Sequence, residues 1–190
     1  MTIGVGVEGP SDRVFWDKVL HKHFRRLRFD IRNMKDRDKL VRETPRLLET
    51  FRDAHYKAGF ILVDRDAFPC VSSVLNEFDG LVQKEARKPL GQRFLFVCVA
   101  IRELEAWLLA DGNAIVSVLP DVGYAAPSET GDLNAEKKLK DLWRKQHGGP
   151  SLNKIDFAKS IAPQFDPGEA SLHSVSFRYF WTRITAKCRR

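Results

Sequence analysis

Phe94-Leu-Phe-Val-Cys-Val-Ala-Ile101 runs without a break into Arg102-Glu-Leu-Glu-Ala-Trp-Leu-Leu-Ala-Asp111. An uninterrupted apolar run is what a strand needs when both faces of its sheet are covered, the situation of a parallel sheet. In the second half, Leu104, Trp107 and Leu108 recur at helical spacing, and Gly112 closes the segment. A buried strand delivering the chain straight into a helix predicts the α/β class, in which each parallel pair of strands is joined by a helical crossover.

The same alternation recurs upstream. Ile3, Val5 and Val7 mark a strand ending at Glu8, and Gly9-Pro10-Ser11 forms the turn. Phe15/Trp16, Val19/Leu20, His23/Phe24 and Leu27 then predict a helix to about Arg28, and Phe29 to Met34 a weakly signalled second strand. Leu40/Val41 begin another apolar stripe. Thr44-Pro45 reads as a fresh N-cap, followed by Leu47/Leu48 and Phe51 on the buried face. Phe60-Ile-Leu-Val63, bounded by Asp64, is a third strand, and a helix is expected from about Val71 to Lys88, stopped by Pro89.

The expected architecture is therefore a parallel sheet of about four strands with helices on both faces over residues 1–111. Residues 112–190 are read as an α-helical extension packed on that sheet. In it, 112–131 is irregular, and helices lie near Ala135–Gln146, Lys154–Ile161 and Ser171–Lys187, separated by Gly148-Gly149-Pro150 and Pro163–Gly168.

Composition excludes much. In 190 residues, 43% hydrophobic content and 30% charged residues describe an ordinary globular chain. No apolar run approaches the ~18–20 residues of a membrane span. Met1 to Asp12 lacks the basic and apolar regions of a signal peptide. Cys70, Cys98 and Cys188 lie far apart with no C-x-x-C pair, which predicts reduced thiols and a cytoplasmic location rather than disulfides or zinc. The net charge of +7 is uneven: Lys18 to Arg46 holds 11 Lys and Arg against 4 Asp and Glu, and the remainder is neutral. Lys22, Arg25, Arg26 and Arg28 are the expected phosphate contacts, with a solvated helical face as the plain alternative.

In an open parallel sheet, ligands bind beyond the carboxyl ends of the strands, where strand order reverses. Acidic residues fall at those ends. Glu8 closes the first strand and Asp12 lies just beyond its turn, Asp64 and Asp66 close the third, and Glu103 and Glu105 follow the fourth. Two apart in extended chain, Asp64 and Asp66 are expected to point to one side. Crowded carboxylates raise one another's pKa unless a cation neutralises them, and hard oxygen ligands suit Mg²⁺ or Mn²⁺ rather than zinc. A lone D-x-D often only caps a turn; three acidic clusters at three strand ends point to metal. At about 100° per residue, Glu103 and Glu105 flank the buried stripe at similar angles, so either qualifies as the ligand. His21 and His23, two apart on a helix, share no face and make no metal pair.

Val7-Glu8-Gly9 and Asp64-Arg65-Asp66, each after apolar strand residues, resemble the signature of the TOPRIM superfamily, the catalytic domain of topoisomerases, DnaG-type primases and several nucleases. Glu8-Gly-Pro-Ser-Asp12 is similar to the E-G-x-x-D form of the overcoming-lysogenization-defect (OLD) nucleases. With Arg102-Glu-Leu-Glu-Ala-Trp and Ser174-Val-Ser-Phe-Arg-Tyr-Phe, the chain resembles small stand-alone bacterial TOPRIM-like proteins. Those are catalogued mostly as a domain of unknown function and are often encoded beside an AAA/ABC-type ATPase in phage-defence loci. The resemblance implies a TOPRIM-like (Rossmann-like) fold with the first strand beside the third. It implies a metal-dependent nuclease acting on DNA or RNA, with Glu8, Asp64 and Asp66 catalytic and Asp12 with Glu103 or Glu105 completing the metal site. An ATPase partner and pairing of two copies go with it. Tyr56, Tyr124 and Tyr179 sit on no gate module, which argues against topoisomerase chemistry. A phosphatase with D-x-D on its first strand, followed by Thr or Val, is disfavoured by Ala67-Phe68 here. A non-catalytic subunit using its carboxylates to hold a structural ion or a basic partner is the remaining alternative.

Overall fold

A computed structural model describes residues 1–128, 134–149 and 151–189. β1 (Thr2–Val7) leads through α1 (Pro10–His23) to β2 (Arg28–Asn33), then α2 (Arg37–Asp53) and β3 (Ala58–Asp64). Two short helices, α3 (Val71–Asn76) and α4 (Leu81–Ala86), precede β4 (Leu95–Ala100). The remaining helices are α5 (Glu105–Leu109), α6 (Gly112–Val118), α7 (Ala135–His147), α8 (Lys154–Ile161), α9 (Pro167–His173) and α10 (Val175–Cys188). The four strands form one all-parallel sheet in the order β2-β1-β3-β4. The chain winds outward from β1 to β2 and then returns past β1, so strand order reverses between β1 and β3. Glu8 and Asp64 stand there, at the carboxyl ends.

Alternation along the strands divides the core. Ile3, Val5, Val7, Phe60 and Leu62 face α1 and the C-terminal helices, where Trp16, Trp107, Phe177 and Phe180 pack ring against ring. Ile61, Val63, Val97 and Val99 face α2, α3 and α4 through Leu47, Phe51 and Val74. On that face β1 presents Gly4 and Gly6, which lets α2 settle against the backbone: a Cβ at Gly4 would lie 2.3 Å from the Phe51 ring. Residues from α6 to α10 share the first core with β1, β3 and α1, so the helical extension is bonded to the sheet by apolar packing. Ser176 accepts from the Trp107 indole N–H at 2.8 Å and from the Ile101 N–H at 3.4 Å, tying α10 to the segment that leaves β4. All three cysteines are free. Among the described residues no helix is long and apolar enough to cross a membrane.

Several expected boundaries differ, each for a local reason. α1 ends at His23, because Arg28 already pairs with Thr2 in the sheet; Phe24 and Leu27 still pack on the core from the turn, which prolongs the helical spacing. α2 starts at Arg37, capped by Asp36, whose side chain accepts from the Lys39 N–H; Pro45 lies inside the helix, and the Thr44 hydroxyl donates to the Leu40 carbonyl rather than capping. The helix expected over 71–88 is broken at Asp79-Gly80, both with positive φ, a turn dipeptide overlooked in the apolar pattern. The segment after β4 turns through Arg102 at φ 68° before α5 begins at Glu105.

Within 112–131, α6 replaces part of the irregular stretch. Buried Asp111 accepts from the Ala114 N–H that starts α6 and from the Asp166 N–H that leads into α9. Residues 129–131 of that stretch, and Pro150 of the Gly148-Gly149-Pro150 separator, lie outside the described residues. The last helix is two, α9 and α10, separated at Ser174, which caps α10 through the Phe177 N–H.

The Gly4 contact gives a stability test. Gly4→Ala should cost about 1–3 kcal/mol in urea unfolding, since the ring and β1 must move apart. Gly149→Ala, where a Cβ meets nothing within 4 Å, should leave stability within about 0.5 kcal/mol.

Candidate metal centre

β1 and β3 end side by side, and one hydrogen bond joins their ends: the Asp64 N–H donates to Glu8 Oε1 at 2.7 Å. Asp64, still in β3, follows the alternation of Phe60 and Leu62 and so belongs to the α1 face. There it feels the charges of Glu105 and Asp12 as well as that of Glu8. Burial and these like charges push its carboxyl well above the ordinary range, and no cation figures among the leading influences. Glu8 is pushed up to about 7, first by burial and then by Asp66 and Asp12, against the opposing Asp64 N–H and Arg37. Asp12 is raised too, mainly by burial.

Asp66 does not continue the strand. Its φ of 49° turns it out of the alternation, its N–H donates to the Arg102 carbonyl, and its carboxylate lies 3.7 Å from the Arg37 guanidinium. The two-residue parity behind the expectation that Asp64 and Asp66 share one side does not apply, because Asp66 is left-handed; its charge nonetheless reaches Asp64 and Glu8. Arg37, from the start of α2, also pairs with Glu77 at 2.5 Å and lies 4.0 Å over the Phe68 ring.

Asp12 sits at the third position of α1 and accepts from the Gly9 N–H at 2.9 Å, which fixes its carboxylate at the helix start. Glu103 and Glu105 touch different groups. Glu103 accepts from the Glu136 N–H at the start of α7 (2.8 Å), whereas Glu105 is the one whose charge reaches Asp64 and Asp12. Glu105 is paired at 2.6 Å with Lys154, at the start of α8, which also holds Glu136 at 3.2 Å. Ser11, Asp12, Glu105 and Lys154 line a small cleft over Phe15 and Phe157.

The residues brought together are thus Glu8, Asp12, Asp64, Asp66 and Glu105, with Glu103 turned away to α7. They fall into two groups joined through Asp64 and Glu8, one edged by Lys154 and the other by Arg37. All offer hard oxygen ligands, and the raised carboxyls of Glu8, Asp12 and Asp64 describe a charge cluster short of positive charge, which suits Mg²⁺ or Mn²⁺. As placed, however, no three His, Cys, Asp or Glu side chains among the described residues are grouped to hold a metal ion.

The basic segment lies elsewhere. α1 runs away from the carboxylates for 14 residues, about 21 Å at 1.5 Å per residue. Lys22, Arg25, Arg26 and Arg28 therefore stand at the amino end of the sheet. The Lys22 ammonium is already committed there, donating to the carbonyls of Pro163 (2.7 Å) and Phe165 (3.1 Å). The cations that do border the carboxylates, Arg37 and Lys154, were not singled out from the sequence. Arg37 was hidden among many basic residues, and Lys154 had no local signal beyond its place after the Asn153 cap. His21 Nδ1 donates to the Asp17 carbonyl of its own helix, and His23 lies against Trp181, so neither approaches the site.

Glu8 makes the site's charge visible in stability. Its carboxyl titrates near 4.5 in the unfolded chain and near 7 when folded, so between those values the folded chain keeps a proton the unfolded chain has lost. Stability falls as pH rises through that window. In EDTA, Glu8→Gln should therefore exceed the native protein at pH 8 by on the order of 2 kcal/mol in urea unfolding, the gap closing towards pH 5.

A family model described as a domain of unknown function (DUF4276) matches residues 7–185. No curated protein matches the chain, and no solved structure does.

Proposed function

We propose that this chain, which belongs to the DUF4276 family, is a divalent-metal-dependent nuclease of the TOPRIM type, hydrolysing phosphodiester bonds of DNA or RNA in the cytoplasm as part of bacterial defence against phage. The observation that carries the reading is the meeting of Glu8 with Asp64 at the strand switch point, inside a ring of carboxylates that raise one another's proton affinity. Glu8, Asp64 and Asp12 would hold Mg²⁺ or Mn²⁺, Asp66 and Glu105 lying next to them. When bound, the ion supplies Lewis acidity and a more acidic attacking water.

The chain's own groups then divide the work. Glu8 Oε1 is fixed by the Asp64 N–H, so Oε2 is the atom left either to bind the ion or, in its place, to take a proton. Arg37 and Lys154, at the two edges of the carboxylates, are placed to orient the phosphate of the bond to be cut. Pairing of two copies and an AAA/ABC-type ATPase partner belong to the same proposal through the family resemblance.

A second reading has its own observation. Lys154 and Arg37 already neutralise Glu105 and Asp66, and no ready group of three ligands stands among the described residues. That favours a regulatory or binding subunit in an ATPase-containing complex.

Cleavage decides between them. Plasmid, single-stranded DNA and total tRNA are incubated with Mg²⁺ or Mn²⁺ and with EDTA, with and without the neighbouring ATPase where one is encoded. Metal-dependent cleavage is expected, falling by about 10²-fold or more in Glu8→Gln and Asp64→Asn. Equal cleavage by both variants would contradict the assignment. Metal binding without cleavage under every condition would favour the subunit.

A further inference from the structure

α1 joins two clefts. Its first turn carries Ser11 and Asp12 into the small cleft beside the carboxylates. At its other end, Lys22, Arg25 and Arg26 line a cleft of about 360 Å³ with Phe24, Leu27 and Cys188, and no carboxylate lines it among the described residues. We propose that the outer face of α1 and this cleft form a binding track for a nucleic-acid backbone, gripping by its phosphates the strand presented to the carboxylates. The part it plays in cleavage rests on the nuclease reading; the binding does not.

The charge on this face is available. Buried Phe15, Trp16, Val19 and Leu20 turn one side of α1 to the core and leave Arg13, Lys18 and Lys22 exposed on the other. The side chains of Arg13, Lys18, Arg25 and Arg26 have no hydrogen-bond or ion-pair partner among the described residues. Lys22 is held by the Pro163 and Phe165 carbonyls, which are neutral and leave its charge in place. Against these cations stand Asp17, 3.5 Å from His21, and Asp166, whose charge reaches His23. Arg28 does not belong to the track: Phe29 and Ile31 lie on the α1 side of β2, so Arg28 alternates to the other side.

The layout fits a linear polyanion. α1 spans about 21 Å, the length of about six nucleotides in one strand of a duplex at ~3.4 Å each. Cations spread along that length match phosphates in a row, and the Arg25 and Arg26 guanidinium groups offer the paired donors that phosphate accepts. The carboxylates at the far end repel a polyanion until metal neutralises them, so attraction for the strand has to come from elsewhere on the chain.

Binding is measured apart from cleavage, by fluorescence anisotropy of a labelled 16-base-pair DNA duplex with the full-length protein in EDTA across a salt series. Affinity should fall steeply with salt. The double variant Arg25→Gln/Arg26→Gln should bind about 10-fold more weakly, with a log–log salt slope shallower by about 2. Lys84→Gln/Arg87→Gln removes the same charge from exposed positions at α4, on the opposite side of the sheet, and should bind as the native protein does. Asp64→Asn should also keep full affinity, so a loss of cleavage there bears on the nuclease reading and a loss of binding in the arginine variant on this one. Equal weakening by the α4 variant, an unchanged salt slope in Arg25→Gln/Arg26→Gln, or competition by polyglutamate as strong as by unlabelled duplex would overturn the proposal.

Discussion

The hydrogen bond from the Asp64 N–H to Glu8 Oε1 is the constraint on which the site depends. It joins the last groups of β1 and β3, the two strands between which the chain reverses its direction of winding. A backbone donor that would otherwise point into the cleft beyond the sheet is satisfied by a carboxylate, and that carboxylate is thereby locked beside Asp64. Held there, Glu8 and Asp64 cannot relax apart. Burial and mutual repulsion then raise both carboxyls, with Asp12, Asp66 and Glu105 adding to one or the other. Such an arrangement lowers the stability of the folded chain at neutral pH and is a recurrent feature of sites that bind or transfer charge.

The C-terminal helices complete this end of the molecule. Lys154 of α8 pairs with Glu105, after β4, and with Glu136 of α7, and Glu103 holds the start of α7. Asp111 and Ser176 fasten α9 and α10 to the segment leaving β4. The stretches at 102–111 and 174–180 therefore have a common structural role: they are the two sides of one joint. The far end of the sheet carries the opposite charge, with Arg25, Arg26, Arg28, Lys57, Arg183 and Lys187 gathered where the strands begin.

Most of the fold was legible because its signals are local. Unbroken apolar strands and a repeating strand-helix order suffice for a parallel sheet, and acidic residues at strand ends mark the carboxyl edge. What was not legible depends on direction and backbone hand. Lys22, Arg25, Arg26 and Arg28 stand far from the carboxylates because a helix that starts at the carboxyl edge carries its last turn to the amino edge. Asp66 defeats the two-residue rule because a single left-handed residue cancels strand parity. Lys154 lies 49 positions beyond Glu105, and nothing in the intervening pattern announces their pairing. Asp79-Gly80 was an ordinary turn signal masked by flanking apolar residues.

The most direct measurement is a carboxyl-carbon NMR titration of Glu8 in the full-length protein, with and without Mg²⁺. The account predicts a midpoint near 7 in EDTA, displaced downward by Mg²⁺ as the ion neutralises the cluster. A midpoint at the ordinary glutamate value of 4.5, unmoved by the ion, would contradict it.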